Sequence, residues 1–273
     1  MKISASIYLG DIVSTKKSLV HKLLARKQTF KKTGFSKSIA QLKNAGVSGI
    51  ELGIPRLLNT SEIKRVESIL KKNKIKVYSI HQPIHLFKPT KPKEITSLFL
   101  LAQQLHAKVI VLHIDSAKSQ LLDPAYISFI KKLEKKYAIT AGFENSQKHH
   151  VMYRNPVFWH EDIFQTLMHM NDFHITLDTT HLAQAGGDIV RFILNNTSRL
   201  VNIHISDYKH HAFAASIRPT TYTHMAIGAG ELPIKRFLQT LKKIQYTGLI
   251  TMEINDSLEN ICQSAKMIKK FIT

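Results

Sequence analysis

Short apolar runs alternate with stretches of helical periodicity along nearly the whole chain. The runs are Ile3 to Leu9, Val47 to Leu52, Ile75 to His81, Val109 to His113, Ile139 to Glu144, Phe173 to Asp178, Leu200 to His204 and Leu249 to Glu253. Rich in β-branched and aromatic residues, they read as buried strands. Between them apolar residues recur at helical spacing. This is so at Ile39 and Leu42 before the Gly46 stop, Ser61 to Lys72, Lys93 to Leu105, and Tyr126 to Lys136. It continues at Pro156 to Met170 (carrying Trp159), Asp188 to Leu194, Leu232 to Ile244, and Ser257 to Ile272. Eight strands, each followed by helical sequence, predict a parallel sheet with helices packed outside it. In 273 residues with no Pro/Gly-rich break, that is one α/β domain spanning 1–273, a (β/α)8 barrel.

The strand ends change the picture from architecture to chemistry. His81, His113, Glu144, Asp178, His204 and Glu253 each close an apolar run. A small or polar residue stands two positions before five of them: Ser79, Gly142, Thr176, Asn202 and Thr251. Residues two apart share a face of a strand, so these strands turn a polar face inward near their C-terminal ends. A doubly wound open sheet would not explain that recurrence. In a TIM barrel that end carries the active site. Two Glu, one Asp and several His converging on one axis would repel or stay unsatisfied without a cation. Carboxylates with imidazoles suit a divalent metal: Zn²⁺, Mn²⁺, Co²⁺ or Mg²⁺.

Composition narrows the partners. Cys262 is the single cysteine, which excludes an intramolecular disulfide and a thiolate metal site; it lies in the Ser257 to Ile272 helix and reads as a small structural residue. The formal charge is +20, from 39 Lys+Arg against 19 Asp+Glu. Such a surface attracts nucleic acid, membranes or phosphorylated small molecules, and a solvated basic surface accounts for it equally. Part of the charge sits in a basic insertion at about residues 11–34, Ser14-Thr-Lys-Lys and Arg26 to Gly34, which reads as a surface loop with a helical turn or a polyanion contact. No run reaches the roughly 18 apolar residues of a membrane span, and the first residues lack a long apolar signal. The expected location is the cytoplasm, with no membrane partner.

Glu144, Asp178-x-x-His181, His204-x-x-Asp207, His224 followed by Ile227-Gly-Ala-Gly-Glu-Leu232, and Glu253 together resemble the xylose isomerase-like barrel superfamily. It contains the sugar phosphate isomerases/epimerases and the endonuclease IV class of apurinic-site nucleases, and the resemblance runs from Ile3 to Ile268. In the isomerase/epimerase branch it implies a metal held by Glu144, Asp178, His204 and Glu253. His181 would contact the substrate, with His81, His113, Asp207 and His224 as further substrate-binding candidates. The substrate would be a sugar or sugar phosphate, turned over through a metal-stabilised enediolate with Glu144 and Glu253 as base and acid. Asp207 would orient His204, bind a substrate hydroxyl or cap its loop.

The nuclease branch implies instead a trinuclear zinc cluster on nucleic acid, drawing in His81, His113, His181 and His224, and the charge of +20 suits it. Tyr222 stands where that branch has an Asp, and Gln82-Pro-Ile-His-Leu after His81 lacks its aromatic wedge. Gly228-Ala-Gly230 also replaces the Gly-Glu-Gly of many members. Isomerase/epimerase is therefore the expectation and the zinc-dependent nuclease the alternative, ahead of a related lyase or an inactive barrel. A non-enzymatic binding module would leave the convergence of ionisable groups unexplained. His149-His150 and His210-His211 read as rim or surface histidines, because adjacent residues in a regular element do not share a face. Lys209 and Arg218, in the long Ile205 to Thr223 loop, are candidates to grip an anionic group, and Gly186-Gly187 ends the loop after strand six.

Overall fold

Eight strands close on themselves: β1 (Lys2–Tyr8), β2 (Gly49–Gly53), β3 (Lys76–His81), β4 (Val109–His113), β5 (Thr140–Glu144), β6 (His174–Asp178), β7 (Leu200–Ile205) and β8 (Leu249–Met252). Each pairs in parallel with the next, and β8 pairs with β1. The computed structural model describes residues 1–8, 34–54, 58–83, 90–114, 122–146, 161–210 and 223–273. The basic insertion, Trp159, His149-His150, His211, Arg218 and Tyr222 lie outside them.

The helices α1 (Phe35–Asn44), α2 (Thr60–Lys72), α3 (Pro92–Gln104), α4 (Pro124–Tyr137) and α5 (Glu161–Met170) follow β1 to β5. After β6 come α6 (Thr179–Gln184) and α7 (Ile189–Asn196); α8 (Ile234–Lys243) follows β7 and α9 (Leu258–Ile272) follows β8. Their start sites are chemically marked. Asn59 and Glu62 form a reciprocal cap on α2, Asp123 caps α4, Asp188 caps α7 and Ser257 caps α9. Apolar faces such as Ile95, Leu98, Phe99 and Ala102 of α3 are fully covered, and Cys262 packs half-buried against the same core. Among the described residues no helix is long and apolar enough to cross a membrane.

Along each strand the residues alternate between that apolar layer and the barrel interior. Ile50, Ile80, Ile110, Ile175, Ile203 and Ile250 join the hydrophobic core. Ser4, Glu51, Ser79, Thr176, Asn202 and Thr251 are buried with essentially no exposure. Two register shifts set this interior. Ile50 pairs with Val77 but Glu51 with Ser79, and Ile175 pairs with Leu200 but Thr176 with Asn202. Tyr78 and Val201 are the extra residues of these bulges, which bring Ser79 level with Glu51 and Asn202 level with Thr176.

The short helix α6 is absent from the periodicity, because a single turn and a half is too brief to show a repeat. Its signal is chemical: the Asp178 carboxylate accepts the His181 backbone N–H at 2.7 Å.

Packing around Gly142 is tight. A Cβ there would stand 2.5 Å from Thr176 Oγ1 and 2.9 Å from Val201 Cγ2. Gly142→Ala should therefore destabilise the protein by about 1–3 kcal/mol through overpacking, seen as a lower urea midpoint. Gly53→Ala, whose Cβ meets nothing nearer than Tyr8 Cδ2 at 3.5 Å, should change it by less than about 0.5 kcal/mol. Equal midpoints for the two variants would contradict this packing.

Candidate active site

His204, at the end of β7, is fully buried and faces carboxylates on both sides. Its Nδ1 lies 2.9 Å from Glu144 Oε1 and 2.9 Å from Glu253 Oε2; its Nε2 donates to Glu51 Oε2 at 3.1 Å. Glu144 has two further imidazoles on its other oxygen, His113 Nε2 at 3.0 Å and His81 Nε2 at 3.5 Å. The tautomer of His81 is set from behind. Its Nδ1 lies 2.9 Å from the Gln82 carbonyl oxygen, which can only accept, so the proton sits there. In the neutral ring the Nε2 lone pair then faces Glu144 Oε2. Two acceptors face to face require a proton or a cation between them.

His81, Glu144, His204 and Glu253 each offer a ligand atom, and these atoms lie within 4.8 Å of one another. First-shell bonds of about 2 Å place ligand atoms at most about 4 Å apart across an ion. With modest adjustment this donor set fits a divalent cation.

Asp178 falls into a second group, with His181 and His224. Its Oδ1 caps α6, while its buried Oδ2 has no hydrogen-bond partner among the described residues and lies 3.9 Å from His224 Nδ1. The two groups adjoin: Asp178 and His204 are register partners, and His181 Nδ1 is 3.8 Å from Glu144 Oε1. Of the expected metal quartet, three side chains thus gather with His81, and the fourth stands one position aside.

The loop bearing His224 is built on Asp207. One carboxylate oxygen accepts the backbone N–H groups of Tyr208 at 2.8 Å and Leu232 at 3.1 Å, and the other accepts that of Gly228 at 2.9 Å. Paired hydrogen bonds between Asp207 and Met225 complete the bridge. This is the loop-capping arrangement among the roles expected of Asp207. It also accounts for the Gly-Ala-Gly segment, since the Asp207 carboxylate and the Tyr208 carbonyl fill the space a Cβ on Gly230 would need. His224 itself has φ +52°, a conformation uncommon for non-glycine residues and frequent at functional sites. Lys209 and His210 are exposed at the rim.

Three functional candidates went unread in the sequence. Glu51 looks like an ordinary strand-end residue, yet it sits beneath His204. Asn145 accepts the Asp178 N–H at 2.7 Å, donates to the Asp178 carbonyl at 3.1 Å, and accepts from His181 Nδ1 at 3.0 Å through its own carbonyl. Gln82 accepts the His113 N–H at 2.9 Å and donates to Thr90. The signal available was adjacency: Asn145 follows Glu144 and Gln82 follows His81.

The profile of the family described as xylose isomerase-like TIM barrel matches residues 39–271. The chain belongs to that family. Among solved structures of similar fold are a 3-keto-D-glucoside 4-epimerase from E. coli and a D-allulose 3-epimerase from Methylomonas sp. in complex with D-allulose. The first has a TM-score of 0.67 and 14% identity over 99% of this chain and 99% of that one. The second has 0.63 and 14% over 99% and 96%. A xylose isomerase-like TIM barrel protein from Mycobacterium smegmatis in complex with magnesium gives 0.63 and 14% over 88% of each chain. At such identities the likeness establishes the fold. Comparison with curated proteins gives no significant match.

In this xylose isomerase-like barrel the buried charges hold one another. Burial alone would push Glu51 up, but the charge and hydrogen bond of His204 outweigh it and hold the carboxyl down at about 2. Burial also opposes ionisation of Glu144, and the His204 charge with hydrogen bonds from His113, His204 and His81 carries it well below the usual range. For His204 burial works against the proton, and Glu51 and Glu144 lift it well above 6.5 regardless.

These shifts fix how the metal-free protein responds to pH. The stability from Glu51 is complete above its ordinary value of 4.5 and lost as pH falls toward about 2. That from His204 is complete below 6.5 and lost as pH rises through its elevated value. With chelator present, the urea midpoint should be highest between about pH 4.5 and 6.5 and fall on either side. A midpoint that climbs steadily from about pH 5 to 9 would exclude the ionised cluster.

Proposed function

We propose that this protein is a metal-dependent sugar or sugar-phosphate isomerase/epimerase. The observation carrying the proposal is the pair of carboxylates, Glu144 and Glu253, set on one imidazole nitrogen at the mouth of the barrel, each 2.9 Å from His204 Nδ1. Glu144, His204 and Glu253 would hold the cation. His81 joins them by distance, and Asp178 brings a buried oxygen with no hydrogen-bond partner among the described residues. Zn²⁺, Mn²⁺, Co²⁺ or Mg²⁺ suits such a set. When bound, a divalent cation supplies Lewis-acid polarisation of a substrate carbonyl.

The chain's own residues supply the rest. One carboxylate of the Glu144/Glu253 pair takes a proton from the carbon beside the carbonyl and the other returns one, so the two faces of that carbon interconvert. His113, with its side chain 26% exposed, and His181, whose Nδ1–H is anchored on the Asn145 carbonyl, orient the hydroxyls. A neighbour of this fold solved with D-allulose supports a sugar, and one solved with magnesium supports the metal. The net charge of +20 favours a phosphorylated form of the substrate.

The nuclease reading retains one observation of its own, the adjoining Asp178, His181 and His224 group. The two readings part on substrate. The loaded protein should exchange solvent deuterium into the carbon beside the carbonyl of a ketose or ketose phosphate, and lose that exchange with chelator. Metal-dependent incision of an abasic duplex at about 1 s⁻¹ or faster would replace the isomerase with the nuclease.

The carboxylate pair makes its own prediction. Glu253→Gln should lower turnover at least about 10²-fold, the usual scale of general acid–base catalysis, with metal occupancy measured alongside. Full activity in that variant with metal bound would remove Glu253 from proton transfer.

A further inference from the structure

The interior of the barrel carries a charge that the proposed reaction does not use. Glu51 lies on β2, one layer below the mouth, with no solvent exposure. Barrel interiors at this depth are ordinarily filled with branched apolar side chains. Here Glu51 Oε2 is the end point of a directed set of hydrogen bonds. Ser79 Oγ donates to it at 2.8 Å, Asn202 Nδ2 at 3.1 Å and His204 Nε2 at 3.1 Å. Asn202 is held with its amide nitrogen toward Glu51 because its Oδ1 accepts from Thr251 Oγ1 at 2.8 Å, and Thr251 in turn pairs with Ser4 at 2.6 Å. Five residues on β1, β3, β7 and β8 thus orient one carboxylate on β2.

We infer that Glu51 is a positioning residue that selects the tautomer His204 adopts when a cation is bound, keeping the proton on Nε2 so that Nδ1 is the nitrogen left for the cation beside Glu144 and Glu253. A neutral imidazole has one N–H and one lone pair, and the acceptor on one side decides which nitrogen is left for the other. With Ser79 and Asn202 both donating to Glu51, the carboxylate presents itself to His204 as an acceptor. An ion-ligating histidine supported in this way is held in both ring orientation and basicity. The wholly buried position separates this role from substrate contact.

The inference rests on the reading of His204, Glu144 and Glu253 as cation ligands, and the two fail differently. Wild-type protein and Glu51→Gln, a near-isosteric change, should each be titrated with Zn²⁺ against a chromophoric chelator. Circular dichroism melts of the metal-free forms would check that both fold. Wild type should bind Zn²⁺, and Glu51→Gln should bind it about 10–100-fold more weakly while still melting cooperatively. Equal affinity in the two proteins overturns the role of Glu51 and leaves the metal site standing. Failure of the wild type to bind Zn²⁺ overturns both.

Nitrogen-15 spectra of histidine in the Zn²⁺-loaded wild type give a readout that mere packing would not produce. His204 should show a protonated Nε2 and a coordinated Nδ1, and a coordinated Nε2 overturns the inference. If Glu51→Gln does not fold, that spectrum decides alone.

Discussion

His204 has a carboxylate against each ring nitrogen and no exposure to water that would spread the charge. In an interior of low dielectric, a charge without a partner costs several kcal/mol, whereas a paired and fully hydrogen-bonded one is tolerated. That requirement propagates downward. Glu51 must itself be held, and its Oε2 takes hydrogen bonds from Ser79 and Asn202. Asn202 must be held the right way round, which calls for Thr251 and then Ser4. Leu or Val at any of these positions would leave the next group stranded. The polar faces of five strands are the consequence of one imidazole.

Above His204 the same logic works on the backbone. Asn145 grips both the N–H and the carbonyl of Asp178, Gln82 holds the N–H of His113, and Asp207 gathers three N–H groups of the loop behind His224. None of the three offers its side chain to the centre of the cluster. They place the residues that do, so the ionisable groups stand on strand ends and on a loop pinned to a strand. Rigid support of this kind is what close placement of reacting groups demands.

Much of this was legible in the chain. The eight strands were marked by their apolar runs, and His81, His113, Glu144, Asp178, His204 and Glu253 by their positions at the ends of those runs. Ser79, Thr176, Asn202 and Thr251 were readable as an inward polar face two residues deeper. Which polar residue meets which was not legible, because that depends on strand tilt and register around a closed sheet. The bulges at Tyr78 and Val201 bring Ser79 level with Glu51 and Asn202 level with Thr176, and nothing in the local sequence announces them. Hence Glu51, four residues before Pro55, is indistinguishable in the sequence from any strand-end residue. Asp178, read as a fourth ligand with Glu144, His204 and Glu253, groups with His181 and His224, its Oδ1 capping α6 and its Oδ2 facing His224.

The closure of the sheet bears on the order in which the molecule comes together. Glu144, His204 and Glu253 come from β5, β7 and the end of β8, and Glu51 from β2. Glu253 reaches its place only when β8 has slotted between β7 and β1, a pairing that joins the two ends of the chain. Contacts so distant in sequence form late, since the entropy of closing the intervening chain is spent before they return anything. Until that seam shuts, His204 lacks one of its carboxylates and the cluster is unfinished. Metal capture during refolding would therefore clock the sealing of the barrel, since a half-closed intermediate would carry its carboxylates and imidazoles in water, where solvent weakens their hold on one another and on a cation.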